Sequence, residues 1–534
     1  MMRSKIRRSV CVSLLFLLFG SVASNLHAQG TGAGAEWNFL VQDIEDLHRT
    51  GQYDRSTVLA YKALQIAEQN VGPTHPDFAT SLQILAFSYS SQGDFAKAEP
   101  LLQRSLTILE EVHGPNHPDV ATCLASLASL YSSQGEYAKA EPLFQRSLEI
   151  REKAYGPNHP EVAKTLLNLG VLHYHQAAYS KAEPLYNRSL KLCEETLGPR
   201  HPSVATVLNN LAKLYDAQGR PEKAVPLYQR SLEIMEHVHG RNHPDVAITV
   251  FNLAKSHASQ GQFSEAEPLY QRTLETLQRI HGPDHPNVAQ VLSNLAEFYR
   301  QQGNYAQAET LFKRAQEVFD QSPARHSPEA GSNLNNLALL YNLQGDYEQA
   351  ELHYKRSLEI LETALGSDHP RVAYPLFNIG DLYVTQNQFI PAEAAYRRAL
   401  AIMENNLGPD HPELAVKIKH FAELHRKQEN YSQAEENYIR SLEMLERTLG
   451  PNIPIVAEIL AELGEVYQSQ GDYTKAEPML KRSLEIIENG LGPDHPEVAK
   501  SLQRLALLYR QSKRDAEAEE LEKRAAKIQD NPNP

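Results

Sequence analysis

Apolar residues recur along this chain with a helical period, and the helices they mark recur with a longer one. After Pro202, the residues Val204, Ala205, Leu208, Leu211, Ala212 and Tyr215 fall on one side of a 3.6-residue turn, which predicts an amphipathic helix with one core stripe. Pro202 suits a first helical turn, and Gly219 after the last turn supplies a stop. A second helix is expected from about Pro221 to Val238, ended by Gly240, with Ala224, Leu227, Tyr228, Leu232 and Met235 as its buried side. Two antiparallel helices joined by a tight turn are therefore the unit.

This unit returns every 42 residues without insertion or deletion. Gly72, Gly114, Gly156, Gly198, Gly240, Gly282, Gly366, Gly408, Gly450 and Gly492 all lie on that period, most of them opening a Gly-Pro-x-His-Pro phrase. One helix pair has too few buried leucines and tyrosines, at roughly 1.5 to 3 kcal/mol each, to offset the ordering of its own chain, so neighbours must cover it. The alanines Ala98, Ala140, Ala182, Ala224 and Ala266 let helix backbones approach closely enough to do so. The fold class predicted is all-α: a solenoid of about twelve antiparallel pairs, from a first helix containing Trp37, Leu40, Ile44 and Leu47 to a last one at about Asp515 to Gln529. The expected layout is a signal segment at 1–28, a flexible linker at 29–34, repeats 1 to 7 at 35–322, repeats 8 to 12 at 323–530 and a disordered tail at 531–534. The division is set by Ser322-Pro323-Ala324-Arg325-His326-Ser327-Pro328, which replaces the usual phrase and is expected to act as a hinge; Ile453 is a milder irregularity.

The run Leu-Asn-Asn-Leu-Ala-x-Leu-Tyr, followed by Gln-Gly and Ala-Glu-Pro-Leu-Tyr-x-Arg-Ser-Leu-Glu-Ile, resembles the tetratricopeptide repeat, and its 42-residue form is similar to the kinesin light chain subtype. The resemblance covers about residues 35–530. It implies a right-handed superhelix whose inner groove, lined by the first helix of each pair, holds a peptide or a partner protein.

Counted from the proline that opens each first helix, positions +1, +4, +7, +8 and +11 lie opposite the core stripe and are expected to line that groove. Position +8 carries Asn168, Asn210, Asn252, Asn294, Asn336 and Asn378 in consecutive repeats. A carboxamide both donates and accepts, so such a ladder suits the backbone of an extended peptide; alternatively it bonds a neighbouring helix and holds the repeat in register. The resemblance implies the first role, since groove asparagines of this kind hold the ligand backbone in that family. Around the ladder the charge changes sign, from Lys164, Lys213 and Lys255 to Glu297, Asp381, Glu423, Glu458, Glu462 and Glu465. An extended ligand, acidic near the lysines and basic near the carboxylates, would complement it; a solvated helix face is the alternative.

Composition narrows the function. Arg3, Lys5, Arg7 and Arg8 precede the apolar run Val10 to Ala23 and the small residue Ala28, the order of a secretory signal peptide, with cleavage expected after Ala28. The periplasm or the cell exterior is the expected compartment, with membrane anchoring by an uncleaved segment as the alternative. Cleavage removes four of the 52 basic residues and leaves 48 against 66 acidic ones, a net charge of −18, which disfavours nucleic acid and anionic lipid. No membrane insertion is expected after cleavage. Cys123 and Cys193 lie in different repeats, and no disulfide is expected.

No phosphate loop, nucleophile elbow or ligand-spaced Cys/His cluster is found, so neither enzyme, cofactor nor metal is expected. The histidines of the Gly-Pro-x-His-Pro phrases, one per repeat from His75 to His495, are read as caps of the following helix. The repeated arginines from Arg104 to Arg524 are read as stacking contacts to residues such as Glu149, three positions on. Prolines inside the second helices, such as Pro100 and Pro226, are expected to bend each repeat slightly. A carbohydrate-binding face would need exposed aromatics, for which Tyr374 and Phe377 are the candidates. The expected function is that of an exported scaffold holding a peptide segment or protein partner in its groove; the alternative is an envelope-assembly protein acting through its convex face or ends.

Overall fold

The computed structural model describes residues 32–49, 52–176, 178–408 and 411–530, which form twenty-four helices and no strand. The expected signal segment at 1–28, its expected cleavage site and the expected tail at 531–534 fall outside the described residues. The helices form twelve consecutive pairs, such as Pro202–Ala217 with Pro221–His239, and each second helix also packs on the first helix of the next pair within its unit. Two compact units result, one reaching Arg325 and the other starting at His326. No described helix is long and apolar enough to cross a membrane.

Residues 32–34 depart from the expected linker. Ala33 is fully buried, its N–H donates to Asp77 Oδ2 at 2.7 Å and its carbonyl accepts from Asn70 Nδ2 at 2.6 Å. The small side chain lets this strand of backbone seat between the first two pairs, so the ordered body begins before the first helix.

Each pair is built the same way. Nine first helices start at a histidine whose Nδ1 accepts the N–H two residues on, as His201 does from Ser203 at 3.1 Å and His117 from Asp119 at 3.2 Å, with proline next in line. The joint glycine before each, such as Gly114 at φ 82°, takes a backbone conformation closed to other residues without strain. Prolines such as Pro142 and Pro226, at the sixth helical position, each remove one backbone bond, yet the second helices that hold them run on unbroken.

The buried face of the second helix is rotated from the expected one. Ala224, Tyr228, Ser231 and Ile234 are its buried residues, while Leu227, Leu232 and Met235 are only half-buried. The cause is the serine: Ser231 Oγ donates to the Ala205 carbonyl at 2.8 Å, so a polar residue belongs to the core. The same bond across the pair recurs at Ser105, Ser147, Ser189, Ser357, Ser441 and Ser483, at 2.6 to 2.9 Å.

Between pairs, the repeated arginines reach back rather than forward. Arg146 meets Glu110 at 2.7 Å, Arg188 meets Glu152 at 2.6 Å, Arg230 meets Glu194 at 2.7 Å and Arg482 meets Glu446 at 2.5 Å. In these four the partner lies in the preceding second helix, so the arginine ties two repeats together, whereas Arg314 meets the expected residue three positions on, Glu317 at 3.2 Å, and Asp284 of the preceding joint at 2.5 Å. Tyrosine hydroxyls add a second tie, with Tyr215 donating to Glu183 and Tyr467 to Glu435, both at 2.9 Å.

Candidate binding groove

In the N-terminal unit, first helices of successive pairs approach one another more closely than second helices do, so they form the inner layer. Positions +1, +4, +7, +8 and +11 of the helix Pro202–Ala217 are Ser203, Thr206, Asn209, Asn210 and Lys213, all half-buried, while the core stripe behind them is buried except for the half-buried Tyr215. A polar line therefore runs down the inner face.

The asparagines on this line differ from one another. Asn168 is buried, at 1 % exposure, with no partner for either side-chain atom, and does not line an open surface. Asn210 and Asn294 donate back to carbonyls of their own helices, Thr206 at 2.9 Å and Gln290 at 2.8 Å. Asn252 donates to Asn209 Oδ1 at 3.2 Å, across to the preceding first helix. In the C-terminal unit, Asn378 does the same to Asn335 at 2.9 Å, and Asn336 Oδ1 accepts from Asn335 at 3.4 Å. The ladder thus holds register in part. Each of these amides except Asn168 is half-buried and has hydrogen-bonding capacity left over, since an asparagine offers two donors and an accepting oxygen.

The lysines also separate. Lys164 is paired with Glu161 at 2.6 Å. Lys213 and Lys255, at position +11 of consecutive first helices, are in no salt bridge among the described residues. Burial by the surrounding walls holds the Lys213 ammonium below the usual lysine range, and Lys255 adds to this. Lys255 reaches solvent yet is lowered for the same reason, with Asp216 partly offsetting it. His175 joins this patch, lowered by burial and then by Lys213. Asp216 faces it with its own carboxyl raised by burial, while accepting from Ser256 Oγ at 2.7 Å.

The acidic residues further along are already engaged. Glu297 pairs with Arg300 at 2.6 Å, and Asp381 accepts from the Tyr396 hydroxyl and lies 3.5 Å from His420. Glu465 meets Arg504 at 3.1 Å and Arg426 at 3.6 Å. Glu458, Glu423 and Glu462 surround Lys419 at 2.8, 3.2 and 3.5 Å. The basic ligand segment expected from the sequence therefore meets carboxylates that the chain itself neutralises. Phe377 is buried and cannot serve as an aromatic platform, whereas Tyr374 is exposed. The signal missed in the sequence was Lys419, a cation at position +7 set among those acids.

The tetratricopeptide repeat model matches in eleven overlapping segments from residues 44–111 to 455–531. Among solved structures, the chain is similar to BtubC (BKLC) from P. vanneervenii, at 25 % identity, covering 44 % of this chain and 91 % of that one with a TM-score of 0.36. It is also similar to the nearly identical TPR-like repeats of a Podosopora anserina protein described as a kinesin light chain, at 24 % identity, covering 39 % and 98 %, TM-score 0.34. A monomeric mutant of IFIT1 with Gppp-AAAA is similar at 16 % identity, covering 84 % and 90 %, TM-score 0.44. No curated protein matches it. The matched family is a scaffold of protein–protein interaction and indicates no enzymatic activity. With the repeat model matched over nearly the whole chain and paired helices throughout, the chain belongs to the tetratricopeptide repeat family.

Proposed function

We propose that this protein is an exported scaffold that holds an extended, acidic segment of a peptide or partner protein on the inner face of its N-terminal unit. The observation that carries the reading is the unpaired couple Lys213 and Lys255, poorly solvated beside the half-buried amides of Asn210 and Asn252. An incoming carboxylate relieves the cost of two desolvated ammonium groups and meets no competing acid except Asp216. The amides supply donors and acceptors for the ligand backbone. Export rests on the basic, apolar and small residues of the first 28 positions, and a new N-terminus at Gln29 in protein recovered from its source would support it.

The test is photo-crosslinking and mass spectrometry of partners held by residues 29–534, alongside a Lys213→Glu, Lys255→Glu variant whose helicity is checked by circular dichroism. The expected result is capture through an acidic segment by the parent and loss of that crosslink in the folded variant. Identical crosslinks in both would reject the groove and favour assembly through another surface.

A further inference from the structure

We propose that the joint from His113 to Asp119 binds a divalent transition metal ion, with zinc the best fit, through His113, His117 and Asp119. Reading one histidine per repeat, as the sequence invites, hides this site, because the second imidazole comes from the end of the preceding helix. His113 closes the helix Phe95–His113, and His117 and Asp119 begin the helix Pro118–Gln134. Their ligand atoms all lie within 4.8 Å of one another.

Two of the three donor spacings come near those of a coordination sphere. A tetrahedral zinc with bonds of about 2.0 to 2.2 Å holds its donors roughly 3.3 to 3.6 Å apart. His117 Nδ1 lies 3.4 Å from Asp119 Oδ2, and His113 Nε2 lies 3.7 Å from the same oxygen. Two imidazoles and one carboxylate are a common zinc donor set and leave a fourth position for water or a partner's side chain. Gly114 at φ 82° and Pro115 fix the backbone of the joint, while the two imidazoles, stacked at 4.3 Å, turn out of their stack to face one ion on binding. Arg146, which reaches the Pro115 carbonyl at 3.0 Å, has its charge paired with Glu110 at 2.7 Å. His117 Nδ1 also accepts the Asp119 N–H at 3.2 Å, so metal binding exchanges one long capping bond for a metal bond.

Other joints show which parts matter. His239, His243 and Asp245 share the residue pattern and His239 stacks on His243 at 4.5 Å, but Asp245 approaches His243 alone, at 3.6 Å, and these three do not form a group of converging donors. At His281 and His285 the third position is Asn287, which offers no carboxylate. Tyr155 stacks on His159 at 4.6 Å, much as His113 stacks on His117 at 4.3 Å, so tyrosine fits the same place.

Zinc chloride would be titrated calorimetrically into the untagged chain at pH 7.5, with cobalt absorption as a geometric readout. The variants His113→Tyr, Asp119→Asn and, as a control, His281→Tyr use residues found at equivalent joints or of matching shape, so the fold survives them. Binding of one equivalent at a Kd of about 1 to 10 µM is expected, weakened at least about tenfold by His113→Tyr or Asp119→Asn and unchanged by His281→Tyr. Zinc bound more weakly than about 100 µM by the parent, or equally by all four proteins, would overturn the site.

Discussion

Lys213 in the N-terminal unit and Lys419 in the C-terminal unit sit on the polar line of their first helices, one turn apart in the repeat frame, and have opposite circumstances. Lys213 is half-buried beside Lys255, with its ammonium lowered by burial and no ion pair. Lys419 is almost fully buried, yet Glu458, Glu462 and Glu423 raise its ammonium against the lowering effect of burial. At these two sites, the first leaves positive charge without an ion pair and the second closes its charges on itself. A single repeat frame can therefore make an interaction surface or a structural network, depending on which neighbours fill positions +4, +8 and +11.

The largest expected effect comes from emptying the closed network. Lys419→Met leaves Glu423, Glu458 and Glu462 facing one another without a cation, in a site where only Glu458 is well exposed. Removing one partner of a buried pair costs about 3 to 5 kcal/mol, and the exposure of Glu458 reduces this to about 2 to 3. Lys213→Met should be within about 0.5 kcal/mol of the parent, because it removes a desolvated charge that has no partner. Denaturant unfolding followed by hydrogen exchange in each unit would read both; equal costs would erase the distinction drawn between the units.

The second effect is a difference in pH response. Burial, then Glu423, pushes Glu462 up to about 7, above the ordinary glutamate range. A raised carboxyl favours the folded state fully below pH 4.5, and that contribution is lost as pH rises through 7. In the N-terminal unit, burial lowers His48 to about 3, so its contribution is full above pH 6.5 and is lost as pH falls toward 3. His113, His175, His281 and His285 are lowered too, mainly by burial, and act in the same direction. Between pH 4.5 and 6.5, raising pH should therefore strengthen amide protection in the N-terminal unit and weaken it around Glu462. Glu462→Gln should remove the second trend and stabilise the protein by about 1 to 2 kcal/mol at pH 8.

These contrasts also show what could be read in the sequence. The helix pairs, the histidine caps and the polar line were legible because each depends on local spacing: a proline, a glycine and a period of 3.6 residues. The arginine partners were not, because Glu110 stands 36 positions before Arg146 and only the stacking distance between repeats brings them together. Ser231 was passed over because a hydroxyl does not look like core until the Ala205 carbonyl is known to face it. The acids from Glu297 onward were legible as groove positions but not as occupied ones, since occupancy is decided by neighbouring helices.

The smallest expected effect bears most directly on which unit binds. Asn252 and Asn378 make the same cross-repeat bond, to Asn209 at 3.2 Å and Asn335 at 2.9 Å, and both are half-buried. Replacing either with alanine should cost about 0.5 to 1 kcal/mol of stability, since each loses one neutral hydrogen bond within reach of water. Their effects on binding should differ. Asn252 stands one turn from Lys255, where the proposed acidic ligand would be held, so Asn252→Ala should also weaken capture of that ligand, by about threefold to tenfold for one lost bond. Asn378 stands near Asp381, which the chain already engages through Tyr396 and His420, and Asn378→Ala should leave capture unchanged. Equal weakening by both would show that each unit takes part in binding. No weakening by either would reduce the ladder to a register device and leave the lysines to act alone.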